Sequence, residues 1–243
     1  MAAEGSTAQA SEVEKFDALA AQWWDPHGPM RPLHAMNPAR TRWIAERLAR
    51  RHGRPAAELG GLSMLDVGCG AGLASEALAR FGATVTGMDA APETLAAARD
   101  HAAAGGLPIR YLPGGPENLP AGERFDAVVS LEVIEHVAVA DRPAFVAALA
   151  HAVKPGGMVF LSTLNRTPKS FLTAKLGAEY VLRLLPRGTH DWKLFVSPAE
   201  LGALLRGAGL RVADIAGLEM SKLTCAWRIG RDVSVNYLIA AEA

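Results

Sequence analysis

The sequence predicts an α/β protein built on an open, mostly parallel sheet, and three observations carry that prediction. Leu65-Asp66-Val67-Gly68-Cys69-Gly70-Ala71-Gly72 reads as a strand running into a glycine loop, and the apolar periodicity of 73–81 reads as the helix after it. Residues 84–89 read as a second strand that ends on the carboxylate of Asp89. Strand-like and helix-like stretches then keep alternating, the pattern of parallel strands joined by helical crossovers.

Taken in order, residues 1–12 are small and polar, lack the basic start and apolar core of a secretory signal, and are expected to be disordered. From 13 to 24 the apolar positions Phe16, Leu19, Ala20 and Trp23 recur at helical spacing until Asp25-Pro26 stops them. A Pro/Gly/His loop follows, and a second helix is expected over 38–51. The paired Trp23 and Trp24 suit either plain core packing or a cap over a ligand. Strands are expected at 63–67, 84–89, 109–112, 127–131 and 158–163, with helices between them at 92–104 and 142–153. Pro92 suits a first helical turn, and Lys154-Pro155-Gly156-Gly157 is a stop followed by a turn. A last helix at 198–206 precedes two late strands, 210–215 and 233–240. Residues 13–243 are expected to form one domain, since 243 residues at 50% hydrophobic can bury a full core without a second unit.

Composition excludes several classes. Lys and Arg number 25 against 25 Asp and Glu, so the net charge of +0 lacks the positive field that nucleic-acid backbones attract. Cys69 and Cys225 form no metal-type or redox-type pair, which fits a reducing cytosol. No apolar run approaches the roughly 20 residues needed to cross a bilayer as a helix.

The chemistry concentrates in the glycine loop. Glycines let backbone approach a ligand where a Cβ would intrude, and an acid at the tip of the second strand can accept hydrogen bonds from a ribose diol. A dinucleotide loop would place its third glycine at position 73, where the chain has Leu73, so a pyrophosphate cofactor fits poorly. An adenosine-containing cofactor of another kind is expected.

Residues 66–72 together with Asp89 resemble motif I of the class I S-adenosylmethionine-dependent methyltransferases. Trp23-Trp24-Asp25-Pro26, Pro32-Leu33-His34, Asn37-Pro38-Ala39-Arg40, Glu132-Val133-Ile134-Glu135-His136-Val137, Ser162-Thr163-Leu164-Asn165-Arg166 and Gly188-Thr189-His190-Asp191 resemble, more narrowly, the ubiquinone-biosynthesis O-methyltransferases. The similarity runs from about Phe16 to the C-terminus. It implies a Rossmann-like class I methyltransferase core over 62–243, with a seven-stranded, mostly parallel sheet whose last strand is antiparallel. The last two strands would form a hairpin at one sheet edge, and residues 13–55 a helical cap. It further implies S-adenosyl-L-methionine as cofactor, contacted by Arg40, Gly68, Asp89 and Leu131. Arg40 would hold the methionine carboxylate, for which a guanidinium fork is suited. Gly70 and Gly72 belong to the same loop, and Leu131 could equally be strand core.

Methyl transfer to a phenolic oxygen, whose pKa is about 10, calls for a base or a metal at neutral pH. Glu132, Glu135 and His136 follow the fourth strand, at the same sheet edge as the glycine loop. His136 and Glu135 are catalytic candidates there, and all three residues could hold Mg2+ or another divalent cation that binds a catechol. The plainer reading has Glu135 and His136 capping the next helix. His190 is the reserve base. The implied substrate is a polyprenylated phenol or quinol at the two O-methylation steps of ubiquinone assembly. Alternatives are another small acceptor, or a non-catalytic cofactor-binding subunit. Residues 170–187 carry an amphipathic basic pattern that suits either a core-facing helix or one resting on anionic lipid. A cytoplasmic protein with peripheral membrane contact, and with a ubiquinone-biosynthesis complex as partner, is the expectation.

Overall fold

The computed structural model describes residues 9–172, 192–221 and 226–243. His190, Cys225 and the 173–187 part of the amphipathic stretch lie outside them.

Five strands run parallel: β1 (Ser63–Val67), β2 (Thr84–Asp89), β3 (Arg110–Pro113), β4 (Phe125–Leu131) and β5 (Val153–Leu164). Three later strands complete the sheet: β6 (Arg211–Met220), β7 (Trp227–Gly230) and β8 (Asn236–Glu242). The order is β3-β2-β1-β4-β5-β8-β6-β7, with β8 antiparallel to both of its neighbours. The last strand is antiparallel as expected, and the two expected late strands pair antiparallel as β6 and β8. The correction is that the sheet has eight strands among the described residues rather than seven, because the short β7 pairs outside β6 and takes the edge from that pair. A four-residue edge strand carries too little alternation to be read from sequence.

Among the described residues six α-helices accompany the sheet: α1 (Ala10–Asp17), α2 (Arg31–Arg51), α3 (Leu73–Arg80), α4 (Pro92–Ala104), α5 (Arg142–Ala152) and α6 (Pro198–Gly207). Side chains alternate across the strands, so Met64 joins α2 and α3 on one face with Ile44, Leu48, Leu78 and Phe160. Leu65, its neighbour, joins α5 and α6 on the other face with Phe145, Leu149, Leu201, Leu205 and Tyr237. Ser197 and Glu200 form a reciprocal cap at the start of α6.

The N-terminal region departs most from expectation. α1 begins at Ala10, inside the stretch expected to be disordered, and gives way after Asp17 to a 3-10 turn at Ala20–Gln22 rather than continuing to Trp24. α2 starts seven residues before Pro38 and runs through it. An interior proline forfeits one backbone hydrogen bond, at a cost of about 3 kcal/mol. Burial of Met36, Trp43, Ile44 and Leu48 on the same helix offsets that loss. β5 also starts early: Val153 pairs with Phe125, and Lys154-Pro155-Gly156-Gly157 forms an irregularity in the ladder before Met158 pairs with Ala127.

The order in which strands are added reverses between β1 and β4, which stay parallel, since β2 and β3 are laid down to one side of β1 while β4 and β5 are laid down to the other. In open α/β sheets the crevice at the carboxyl ends of such a strand pair is where ligands bind.

Candidate active site at the carboxyl ends of β1, β2 and β4

The loop after β1 is folded tightly onto β2, with the amides of Gly68 and Cys69 both donating to the Met88 carbonyl at 2.8 and 3.0 Å. Gly70 has φ of 54°, and a Cβ on it would collide with the indole of Trp23. A Cβ on Gly68 would likewise strike Val133, and one on Gly72 the Tyr111 hydroxyl. These glycines therefore make room for the protein's own side chains as well as for any ligand. Trp23 is buried, and Trp24 Nε1 donates to the Ala71 carbonyl at 3.0 Å.

Asp89 sits at the end of β2, where expected. Its Oδ2 accepts from the Gly70 amide at 2.7 Å and its Oδ1 from the Ala91 amide at 2.9 Å, which ties the glycine loop to the start of α4. Burial raises its pKa against those two bonds.

Arg40 reaches the same crevice from α2 and is 4% exposed. Its Nε donates to Asn37 Oδ1 at 3.1 Å, while Asn37 in turn donates to the Leu73 carbonyl at the head of α3. Nη1 of Arg40 is buried with no hydrogen-bond partner among the described residues. The charges that act on it are those of Glu132 and Asp66. Asp66 Oδ2 accepts from Ser75 Oγ at 2.6 Å, and burial pushes its pKa up to about 6. Glu132 has φ of 59°, a left-handed value uncommon for a residue with a side chain, and its Oε1 accepts from Ser162 Oγ at 2.6 Å. Burial and the neighbouring Glu135 raise its pKa to about 7. Leu131, buried on β4, pairs in register with Ser162.

The motif after β4 does not close on a cation. Glu132 is turned to Ser162, Glu135 Oε2 accepts from Thr163 Oγ1 at 2.8 Å, and His136 Nδ1 faces Glu12 Oε2 at 2.8 Å. Among the described residues no three Asp, Glu, His or Cys side chains gather at metal-holding distances. The divalent-cation reading of Glu132, Glu135 and His136 is thus not supported, because adjacent positions on the 3-10 turn Ile134–His136 point to different partners. Burial pulls the His136 pKa down, but its bond to Glu12 and the charges of Glu135, Glu12 and Glu132 outweigh burial and the net shift is upward.

Two site residues escaped the sequence reading. Asp66 was visible as the acid of the glycine motif, but its facing of Arg40 depends on α2. Glu12 carried no signal, being in a small polar stretch with no apolar period.

Comparison with known proteins matches residues 65–161 to the model of a methyltransferase domain. The chain is 50% identical to a ubiquinone biosynthesis O-methyltransferase of Methylobacterium nodulans, over 98% of this chain and 96% of that one. It is 48% identical to the protein of that name from Cereibacter sphaeroides, over 97% of each. Among solved structures, the fold is similar to a magnesium protoporphyrin IX methyltransferase of Synechocystis with bound SAH, with TM-score 0.59, 20% identity, and 84% and 82% of the two chains covered. An Aquifex aeolicus SAM-dependent methyltransferase aligns over 96% of this chain and 98% of its own with TM-score 0.58 and 15% identity.

Proposed function

Since this chain belongs to the ubiquinone biosynthesis O-methyltransferase family, we propose that it methylates phenolic hydroxyls of polyprenylated intermediates, at both O-methylation steps, with Arg40, Asp66, Asp89 and His136 as its working residues. It is an S-adenosylmethionine-dependent O-methyltransferase. The observation that carries the site assignment is the buried Nη1 of Arg40, without a hydrogen-bond partner among the described residues and facing the charges of two carboxylates. A buried cationic donor without an acceptor is costly, and an amino-acid zwitterion matches the set: its carboxylate meets Arg40, its ammonium meets Asp66 and Glu132. Asp89, at the sheet edge beside Gly68, Gly70 and Gly72, has lone pairs left to accept from the ribose.

S-adenosylmethionine supplies, when bound, a methyl group already activated on a positively charged sulfur. The chain's own task is alignment, exclusion of water and removal of one proton. Trp23 and Trp24 cover the glycine loop, and His136 takes the proton from the acceptor hydroxyl. Glu135, held by Thr163, adds negative charge that favours the imidazolium so formed.

Titration calorimetry tests the first assignment: Arg40→Ala should weaken S-adenosylmethionine binding by roughly 10- to 100-fold, the worth of a hydrogen bond to a charged group, and Arg40→Lys by less. An unchanged dissociation constant would refute it. For the base, His136→Ala should lower turnover of a short-chain demethylated quinol analogue by about 100-fold or more. If His136→Ala and His190→Ala both stay within a few-fold of the parent, neither is the base. The proton route through His136 also requires that turnover survive a chelator.

A further inference from the structure

Asn37 stands where a helix least favours it. It lies inside α2 directly before Pro38, although asparagine is a weak helix former and a proline pushes the residue ahead of it away from helical backbone. It is also buried, where an amide costs free energy unless its polar ends are bonded. Both ends are bonded: Oδ1 accepts from Arg40 Nε at 3.1 Å, and Nδ2 donates to the Leu73 carbonyl at 2.8 Å. A guanidinium N–H can only donate and a carbonyl can only accept, so only this orientation of the amide satisfies both partners. Asn37 thereby ties Arg40, three residues on and on the same helix face, to the first residue of α3, directly after Gly72. Its own carbonyl accepts from Thr41 Oγ1 at 2.7 Å. Charge alone would not hold Arg40 in this pose. Neither Asp66 nor Glu132, whose charges act on it, forms an ion pair with it among the described residues. A guanidinium free to turn would close a two-pronged pair on one of them and use up the donors that a ligand carboxylate needs. A bond from Nε to a neutral acceptor fixes the plane of the fork and leaves Nη1 unspent.

We propose that Asn37 is a positioning residue for the cofactor: by bonding Arg40 Nε and the head of α3 together, it presents Nη1 to the amino-acid carboxylate of S-adenosylmethionine and keeps the guanidinium from collapsing onto Asp66 or Glu132. The proposal rests on the reading of Arg40 as that carboxylate's partner. It concerns the amino-acid end of the cofactor alone. A ligand that shares the nucleoside but lacks this end does not meet Arg40, and so does not depend on how Arg40 is held. A residue that merely packed α2 against α3 would instead act through the glycine loop on both kinds of ligand alike.

Titration calorimetry on the full chain tests it with two ligands, S-adenosylmethionine and methylthioadenosine, which keeps the nucleoside and a thioether but has no amino-acid end. Asn37→Ala should weaken S-adenosylmethionine by about 5- to 10-fold, less than Arg40→Ala does, and leave methylthioadenosine within about two-fold of the parent. Added to Arg40→Ala, the same substitution should change S-adenosylmethionine affinity by less than about two-fold, since the group it positions is already gone. Asn37→Ser, whose hydroxyl is too short to bridge the two partners, carries the same expectations if Asn37→Ala does not fold. A chain that folds with neither substitution, that loses both ligands equally, or that shows the full loss again on top of Arg40→Ala assigns Asn37 to packing and overturns the proposal. If Asn37→Ala binds S-adenosylmethionine as the parent does while Arg40→Ala does not, the positioning role falls and the Arg40 assignment stands. If Arg40→Ala binds it unchanged, that assignment fails and the proposal with it.

Discussion

At single residues, the clearest finding is that the glycine loop is shaped by what the protein packs onto it. Gly70 was recognisable as a position that needs freedom from a Cβ, but the object it makes room for, the Trp23 indole, comes from 47 residues earlier in the chain and could not be read locally. Gly70→Ala should therefore destabilise the fold by about 2 kcal/mol or more, from a left-handed backbone and the collision with Trp23 together, as a urea titration followed by tryptophan fluorescence would measure. The charged residues show the same division. Arg40 and Asp89 stood out by motif, whereas the opposition of Arg40 to Asp66 and Glu132 exists only because α2 lies across the crevice. Burial raises Asp66 to about 6 and, with Glu135, Glu132 to about 7, so both lose their charge in mildly acid solution. S-adenosylmethionine affinity is accordingly expected to fall as pH drops from about 7 to below 6. Asp66→Asn should remove the lower part of that dependence in calorimetry repeated across pH.

Among the elements, α1 is the one whose importance was least legible. Asp17 at its end accepts from the amides of Glu93 and Thr94, capping α4, and Glu12 near its start meets His136, so a segment of weak helical pattern is fastened at two sites by charge rather than by apolar burial. That makes its docking pH-dependent in a determinable direction. The Glu12 pKa is lowered from 4.5 to about 2, chiefly by His136, so its contribution is present above about 4.5 and lost as pH falls toward 2. His136 is raised from 6.5, so its contribution is full below 6.5 and is lost as pH rises through the raised value. Protection of the α1 amides against hydrogen exchange, taken relative to the intrinsic rate at each pH, should be greatest between about pH 4.5 and 6.5 and smaller on either side, and Glu12→Gln should flatten the profile. α2 is the complementary case: Pro32 and Pro38 suggested a late start, but a proline can be carried inside a helix whose apolar face is well buried.

Over the whole molecule, three large apolar side chains stand exposed on turns joined by hydrogen bonds. Val139, Phe171 and Leu172 are 60, 47 and 58% exposed. The turns bearing them are linked through Arg142 to the Leu194 carbonyl and through Trp192 to the Thr167 carbonyl. No described helix is long and apolar enough to cross a membrane. The polyprenylated acceptor of the proposed function would partition into lipid, and these exposed side chains are where contact with it is expected. Liposome flotation should recover less Phe171→Glu/Leu172→Glu variant than parent on anionic vesicles; equal recovery would remove these side chains from that role. The parallel half of the sheet and the glycine loop were present in the linear pattern, because alternation, helical period and glycine spacing are properties of neighbours along the chain. The place of β8 inside the sheet, the edge strand β7, the burial of Arg40 against two carboxylates and the Glu12–His136 pair were settled only by folding. They join residues up to 124 positions apart, as Glu12 and His136 are. Their energies come from desolvation and charge, which no local period encodes.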